Sequence, residues 1–232
     1  ISTPTCRPSV RRSWQPWRAS EMAARKPARV QDPEGVRRNI LEVATTEFVR
    51  HGYSGARVDA IAALTRTSKR MIYYYFKSKE GLYVAVLEQA YRNIRSVEAT
   101  LELAHLTPED ALRRLVEFTF DYQNAHPDFI RLVMIENIHH ARHMKRSRAI
   151  QSVNTTAISA ISRLYARGRA AGKFRPGIGA IDLHMTISAL CFFNVANRAT
   201  FSTIFKRDMA SSRALAKRRA EVADIVLRYV RA

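Results

Sequence analysis

The sequence predicts an all-α protein of about nine helices, with a three-helix helix-turn-helix unit near the N-terminus and a larger helical part behind it. Three observations carry this. Apolar residues recur at three- and four-residue spacing from Ile40 onward. Nowhere does a period-two, strand-like alternation replace them. Between residues 58 and 74, two short helical patterns are separated by a break of about three residues, the dimensions of a helix-turn-helix.

The elements follow in order. Residues 1–32 hold four prolines and scattered arginines with no hydrophobic period, so they read as a disordered basic tail. Within it Met22 precedes Ala23-Ala24-Arg25-Lys26 and reads as the natural translation start, with residues 1–21 upstream of it. Arg25, Lys26 and Arg29 form a short basic arm able to reach a DNA groove or phosphates. Asp32-Pro33-Glu34 opens the first helix: a capping side chain, a proline suited to the first helical position and an acid at the positive dipole end. Its stripe is Ile40, Leu41, Ala44, Phe48 and Val49, and Gly52 ends it. Val58, Ile61, Ala62 and Leu64 mark a second, short helix. Thr65–Thr67 is the turn. A third helix runs from Ser68 to about Tyr74 with Met71 and Ile72 inward.

Ser78-Lys79-Glu80-Gly81 opens a longer helix to about Thr100, with Leu82, Val86, Leu87 and Ala90 on its apolar face. Further helices are expected from Pro108 to about Asn124, Pro127 to about His140, Ser147 to Ala171, Ala180 to Phe205 and Met209 to Arg231. Gly172 and the loop Lys173–Gly179 separate the third and fourth of these. The domains are therefore 33–80 and 81–232.

Composition narrows the function. The 232 residues are 47% hydrophobic, enough for a sizeable core, and carry 39 Lys+Arg against 20 Asp+Glu, a net charge of +19. Such an excess points to polyanions, nucleic acid first and an anionic membrane surface second. Two distant cysteines, Cys6 and Cys191, form no disulfide scaffold and suit a reducing cytoplasm. No apolar run approaches the roughly 20 residues of a membrane span, and no apolar segment follows Arg11-Arg12 to make an export signal. Neither a glycine-rich phosphate loop, a nucleophile elbow nor paired-carboxylate spacing is present, and Asp182 and His184 fall on different helix faces, so no enzyme is expected. His139, His140 and His143 have metal-type spacing, but the only acidic companion is Glu136, and no metal or other cofactor is expected.

The charge is concentrated where a groove-reading helix is needed. Residues 36–80 contain nine Lys/Arg (37, 38, 50, 57, 66, 69, 70, 77, 79) and four Asp/Glu (42, 47, 59, 80), a net +5. The third helix exposes Ser68, Lys69, Arg70, Tyr73 and Tyr74: Lys and Arg can pair with guanine edges, while Tyr and Ser hydroxyls suit phosphates. Lys79 sits at the next helix N-terminus, where backbone amides favour an anion.

Residues 37–87 resemble the N-terminal domain of the tetracycline-repressor-like (TetR) family. The likeness rests on Ala44…Phe48…Gly52-Tyr53, Ile61-Ala62, Ser68-Lys69 and Tyr73-x-x-Phe76-x-x-Lys79-Glu80-x-Leu82. The rest of the chain agrees in helix count and length. The resemblance implies phosphate contacts for Tyr73 and Lys79, and base-facing positions for Lys69 and Arg70. Two positions depart from the family: Arg66 stands where the turn usually has Gly, and Arg57 where Ser or Thr usually opens the second helix. With Thr67, Ser68 and Tyr74, these complete the expected DNA-binding set.

The resemblance also implies a ligand-binding and dimerisation domain behind the head, with a small-molecule effector, a homodimer formed by the last two helices, a double-stranded palindromic operator and a cytoplasmic repressor's role. Candidate pocket residues are Phe118, Tyr122, Phe129, Met134, Asn137, Tyr165 and Phe192, with Glu136, His184 and Asn194 as further polar options. Cys191, in an apolar helix, reads as an inert buried thiol. The alternative is a basic nucleic-acid binder without sequence preference or ligand control.

Overall fold

Helix α1 (Pro33–Gly55) turns Ile40, Leu41, Ala44 and Phe48 inward, at the spacing that puts them on one face. Gly52 breaks its regularity with φ +68°, a left-handed conformation that glycine adopts without strain. These elements come from a computed structural model that describes residues 32–232. The tail expected at 1–32, including Cys6, Met22, Arg25, Lys26 and Arg29, lies outside the described residues except for Asp32.

Helix α2 (Val58–Leu64) and helix α3 (Lys69–Phe76) pack Val58, Ile61, Ala62, Ile72 and Phe76 against α1. Helix α4 (Lys79–Glu98) adds Leu82, Tyr83, Val86 and Leu87 to the same core, which also receives Leu132 and Ile150 from further along the chain. Phe48 and Tyr83 meet edge to face at 4.8 Å in its centre. α3 runs two residues beyond its expected end. Met71, expected inside, is exposed: with Ile72 and Phe76 defining the buried face four residues apart, position 71 falls outside it.

A second core lies among helices α5 (Pro108–Ala125), α7 (Arg148–Ala170), α8 (Ala180–Ala196) and α10 (Ser212–Val230). Leu112, Phe120, Ile161, Leu183, Cys191 and Val226 are among its buried residues. Helix α6 (Pro127–Ile138) packs on α5 and α8. The helix expected over 180–205 is two, since Asn197 leaves the helical register and a separate short α9 (Arg198–Ile204) follows. The described residues therefore hold ten α-helices. α10 begins at Ser212 rather than Met209, because Asp208 accepts the Ala210 N–H at 2.8 Å in a local turn that competes with helix. An isolated bridge between Phe174 and Arg231 ties the 173–179 loop to the chain end.

The α3–α4 corner positions everything that follows. Lys77 takes φ +67° between the helices, and Ser78 caps α4 by accepting the Gly81 N–H at 3.0 Å. A Cβ on Gly81 would collide with the Phe76 carbonyl oxygen, a backbone atom that cannot step aside. Gly81→Ala is accordingly expected to cost about 2 kcal/mol, as overpacking does, and to weaken DNA binding by tilting α3. Thermal denaturation beside a binding titration measures both.

Candidate nucleic-acid interface

The turn between α2 and α3 is built by backbone hydrogen bonds. The Thr67 N–H reaches the Ala62 carbonyl at 3.1 Å and the Arg66 N–H reaches that of Ala63 at 3.3 Å, the paired closure of a Schellman motif. This closure requires a left-handed residue, and Arg66 supplies it at φ +52°. The departure from glycine therefore keeps the turn's shape and adds an exposed cation to it. Holding a side chain in this conformation costs about 1 kcal/mol. Arg66→Gly is expected to raise stability by up to about that amount while weakening DNA binding through the lost charge. Unfolding and binding titrations of the one variant should therefore move in opposite directions.

Ser68 opens α3 by accepting the Met71 N–H at 3.2 Å, so its hydroxyl is used as a helix cap. Arg57 caps nothing with its side chain. Its own backbone N–H is instead satisfied by the Glu47 carboxylate at 3.1 Å, which replaces the missing Ser or Thr with a bond from α1. With α2 fixed behind it, α3 presents Lys69, Arg70, Tyr73 and Tyr74 outward while Ile72 and Phe76 are buried. Lys69 is held by Asp59 of α2, at 3.0 Å to one carboxylate oxygen and 3.2 Å to the other. That hydrogen bond, then the carboxylate's charge, raises its pKa. Arg70 has no carboxylate within ion-pair distance among the described residues.

Lys79 is partly buried, which lowers its pKa. Its ammonium donates to the Ser54 carbonyl at 3.2 Å and lies 5.0 Å from the Tyr53 ring centre. An ammonium has three donors, so this anchoring leaves capacity for a phosphate oxygen. Tyr53 packs in turn at a tilt against the His143 ring, centroids 4.2 Å apart, and that ring also lies 5.0 Å from the Tyr83 ring. His143 is buried and its Nδ1 is 2.8 Å from Glu136 Oε1, while Glu136 Oε2 accepts the N–H groups of His143 and Met144. The histidine with metal-type spacing is therefore bound to the acid that was its only companion, and His139 and His140 are exposed away from the pair. Among the described residues no group of three His, Cys, Asp or Glu is arranged to hold a metal ion. This buried pair was not legible as a structural clamp; an acid inside the apolar run of α6 was its only signal.

Behind the head lies a cavity of about 330 Å³ bounded by α4, α5, α6, α7 and α8. Of the candidate wall residues, Phe129, Phe192 and His184 line it. The other expected wall residues do not. Met134 and Asn137 are exposed because α6 turns Phe129 and Val133, one turn apart, toward the cavity and leaves 134 and 137 outside. Tyr165 lies elsewhere, donating to the Arg175 carbonyl at 2.5 Å and accepting the Ile178 N–H at 3.2 Å. Tyr122 stacks on His126 at 3.9 Å, and Phe118 packs against Tyr122. Asn194 is spent on Asn124 at 2.9 Å. Sequence reasoning missed Arg95, Glu98, Thr119, Gln123 and Asn154, all on the cavity wall. Thr119 and Gln123, one turn apart on the buried face of α5, were the available signal. Burial pushes the Cys191 thiol up to about 12, so it stays protonated.

Comparison with known proteins agrees with this architecture. Residues 40–86 match the family model for bacterial regulatory proteins, tetR family, and residues 108–226 match the tetracyclin repressor-like, C-terminal domain. Over 203 residues the chain is 36% identical to the HTH-type transcriptional repressor NicS of Pseudomonas putida, covering 88% of this chain and 96% of the relative. A stretch of 110 residues is 37% identical to the HTH-type transcriptional repressor SCO4008 of Streptomyces coelicolor, covering 47% of this chain and 53% of that one. A bacterial regulatory protein in the tetR family from Rhodococcus RHA1 shares the fold, with a TM-score of 0.68 at 18% identity over 85% of this chain and 97% of the other. The head built on α1–α4, the helical body behind it and the two family models together show that this chain belongs to the TetR family of bacterial transcriptional regulators.

Proposed function

We propose that the chain is a dimeric, sequence-specific repressor, released from a palindromic operator by a small molecule and without catalytic activity. The observation that carries it is α3, which buries Ile72 and Phe76 in the head and turns Lys69, Arg70, Tyr73 and Tyr74 outward together. A helix presented so fits the major groove, with its N-terminal residues at base edges and its tyrosines at phosphates. Arg57, Arg66, Thr67, Ser68 and Lys79 surround it as backbone contacts. The head is residues 33–80 and the body 81–232. α4 crosses that boundary without interruption, and the head's core extends along it to Leu87.

Dimerisation uses the C-terminal helices. On α8, Ile181 and Met185 stand one turn apart at 67% and 61% exposure, and Ile225 of α10 is exposed as well. A row of large apolar side chains facing water fits a self-complementary interface. The cavity between α4 and α8 is the effector site, and a relative from Saccharomonospora viridis was solved in complex with choline. Effector control follows if the ligand binds the DNA-released arrangement more tightly than the DNA-bound one. The kinship with repressors from Pseudomonas putida and Streptomyces coelicolor supports repression. The proposed setting is the cytoplasm; among the described residues no helix is long and apolar enough to cross a membrane.

A gel shift with the DNA upstream of the protein's own gene tests this reading. Retardation of a palindrome-bearing fragment, and not of a scrambled one, is expected; equal retardation of both would favour the basic binder without sequence preference. Lys69→Ala has a sharper signature. Selection from randomised half-sites is expected to return a changed base at one position, because Lys69 must leave Asp59 to read an edge. A uniform loss of affinity would make it a backbone contact.

A further inference from the structure

We infer that the loop between α6 and α7 is a second DNA-contact surface, which holds phosphates of the duplex flanking each operator half-site without reading its sequence. This rests on the reading of α3 as the groove helix. The loop carries Arg142, Lys145 and Arg146, and Arg148 opens α7; all four are exposed. No acid offsets them along the chain, since none stands between Glu136 and Asp182. Glu136 itself is buried and bound to His143. Among the described residues Arg142, Lys145 and Arg148 have no carboxylate within ion-pair distance, and only Arg146 of the four is paired, with Glu80 at 2.9 Å. Cations kept clear of carboxylates on one exposed segment fit a polyanion.

The fold fastens this loop to the head beside the phosphate anchor. α6 closes with a Schellman motif: the Ala141 N–H reaches the Glu136 carbonyl at 2.7 Å, and the His140 N–H reaches that of Asn137 at 3.2 Å. His140 and Ala141 both take left-handed conformations, at φ +54° and +56°, which adjacent non-glycine residues keep only where their surroundings hold them. Those surroundings belong to the head. Met144 and Ile150 pack into its core. Ser147 caps α7 and donates to Glu88 of α4 at 2.7 Å. The His143 ring and the Lys79 ammonium both lie against Tyr53, at 4.2 Å and 5.0 Å from its ring centre. Burial, then Glu80, raises the Tyr53 phenol, and Arg142 and Arg146 oppose that rise, so both guanidiniums sit within electrostatic reach of the ring that carries Lys79. The loop thus extends the positive surface that begins at Lys79. With one duplex charge per roughly 1.7 Å of helix axis, a backbone held at Lys79 offers further phosphates to it.

Two duplexes test this by fluorescence anisotropy with the full chain: the palindrome trimmed to its half-sites, and the same palindrome with about eight base pairs of arbitrary sequence added at each end, about 27 Å of duplex per side. At 0.15 M salt, charges more than about 8 Å apart are screened, so a gain there reports contact. The longer duplex is expected to bind about tenfold more tightly. Its slope of log affinity against log salt should be steeper by about two, as one phosphate per loop of a dimer requires. Arg142→Gln/Lys145→Gln/Arg148→Gln is expected to leave affinity for the trimmed duplex unchanged and to abolish the gain. These side chains hold no ion pair among the described residues, and a circular dichroism melt beside the titration checks the fold. Equal affinity of the unaltered chain for the two duplexes would overturn the loop contact and leave α3 in the groove. A variant that keeps the full gain, or loses affinity equally on both duplexes, would do the same. Equal binding of the operator and a scrambled duplex of the same length would overturn the reading of α3, and the loop contact with it.

Discussion

His143→Ala is expected to destabilise the protein by about 3 kcal/mol, a fall of roughly 10 °C in melting temperature for a chain of this size. The Glu136 carboxylate is only 1% exposed, and the His143 ring is the partner of its Oε1. Removing the ring leaves that oxygen unpaired against Tyr53 and Tyr83, while the two backbone N–H bonds to Oε2 remain and limit the loss. Burial and the neighbouring carboxylate already push the Tyr83 phenol up, so ionisation there gives no relief. The double variant Glu136→Gln/His143→Ala is expected to regain part of the lost stability, since the uncharged amide keeps an oxygen to accept the two backbone N–H groups. Thermal melts of the two variants measure this, and equal destabilisation by both would contradict a charge-pairing role. DNA binding should suffer in His143→Ala as well, because the ring supports Tyr53 and through it Lys79.

Tyr73→Ala/Lys79→Ala is expected to lower affinity about 100-fold at every sequence, with operator and scrambled DNA falling together. Each side chain is assigned to a phosphate, and phosphate contacts position the protein without reading bases. Loss of the lysine should also reduce the slope of log affinity against log salt by about one. Because Lys79 donates to the Ser54 carbonyl, the circular dichroism melt of the variant is needed beside the binding curve. A loss confined to the operator would reassign one of the two residues to base reading.

The head was legible because its evidence is local. Ile40, Leu41, Ala44 and Phe48 form a helical stripe, Gly52 and the 65–67 turn punctuate it, and the buried faces of α1 to α3 follow from spacing, with Leu64 and Met71, both exposed, the exceptions. Arg66 shows where such reading is incomplete. An arginine where the turn usually has glycine does not announce a left-handed residue, yet the backbone hydrogen bonds impose that conformation on it. The body was legible in helix number and length but not in the direction of its side chains. Met134, Asn137 and Tyr165 sit on the right helices, yet the crossing of α6 and α7 over the cavity decides which of them face it. Arg95 and Glu98 became visible only when five helices placed them around one space. Asn197, which divides the expected eighth helix, resembles many asparagines that sit inside helices without breaking them.

The central claim is that α3 lies in the major groove of each operator half-site. Methylation protection of guanine N7, which faces the major groove, tests it most directly. Two clusters of protected guanines, one turn of DNA or more apart, are predicted, with Arg70→Ala restoring reactivity at one guanine in each cluster. Operator binding with every guanine N7 left reactive would place α3 outside the groove and contradict the account.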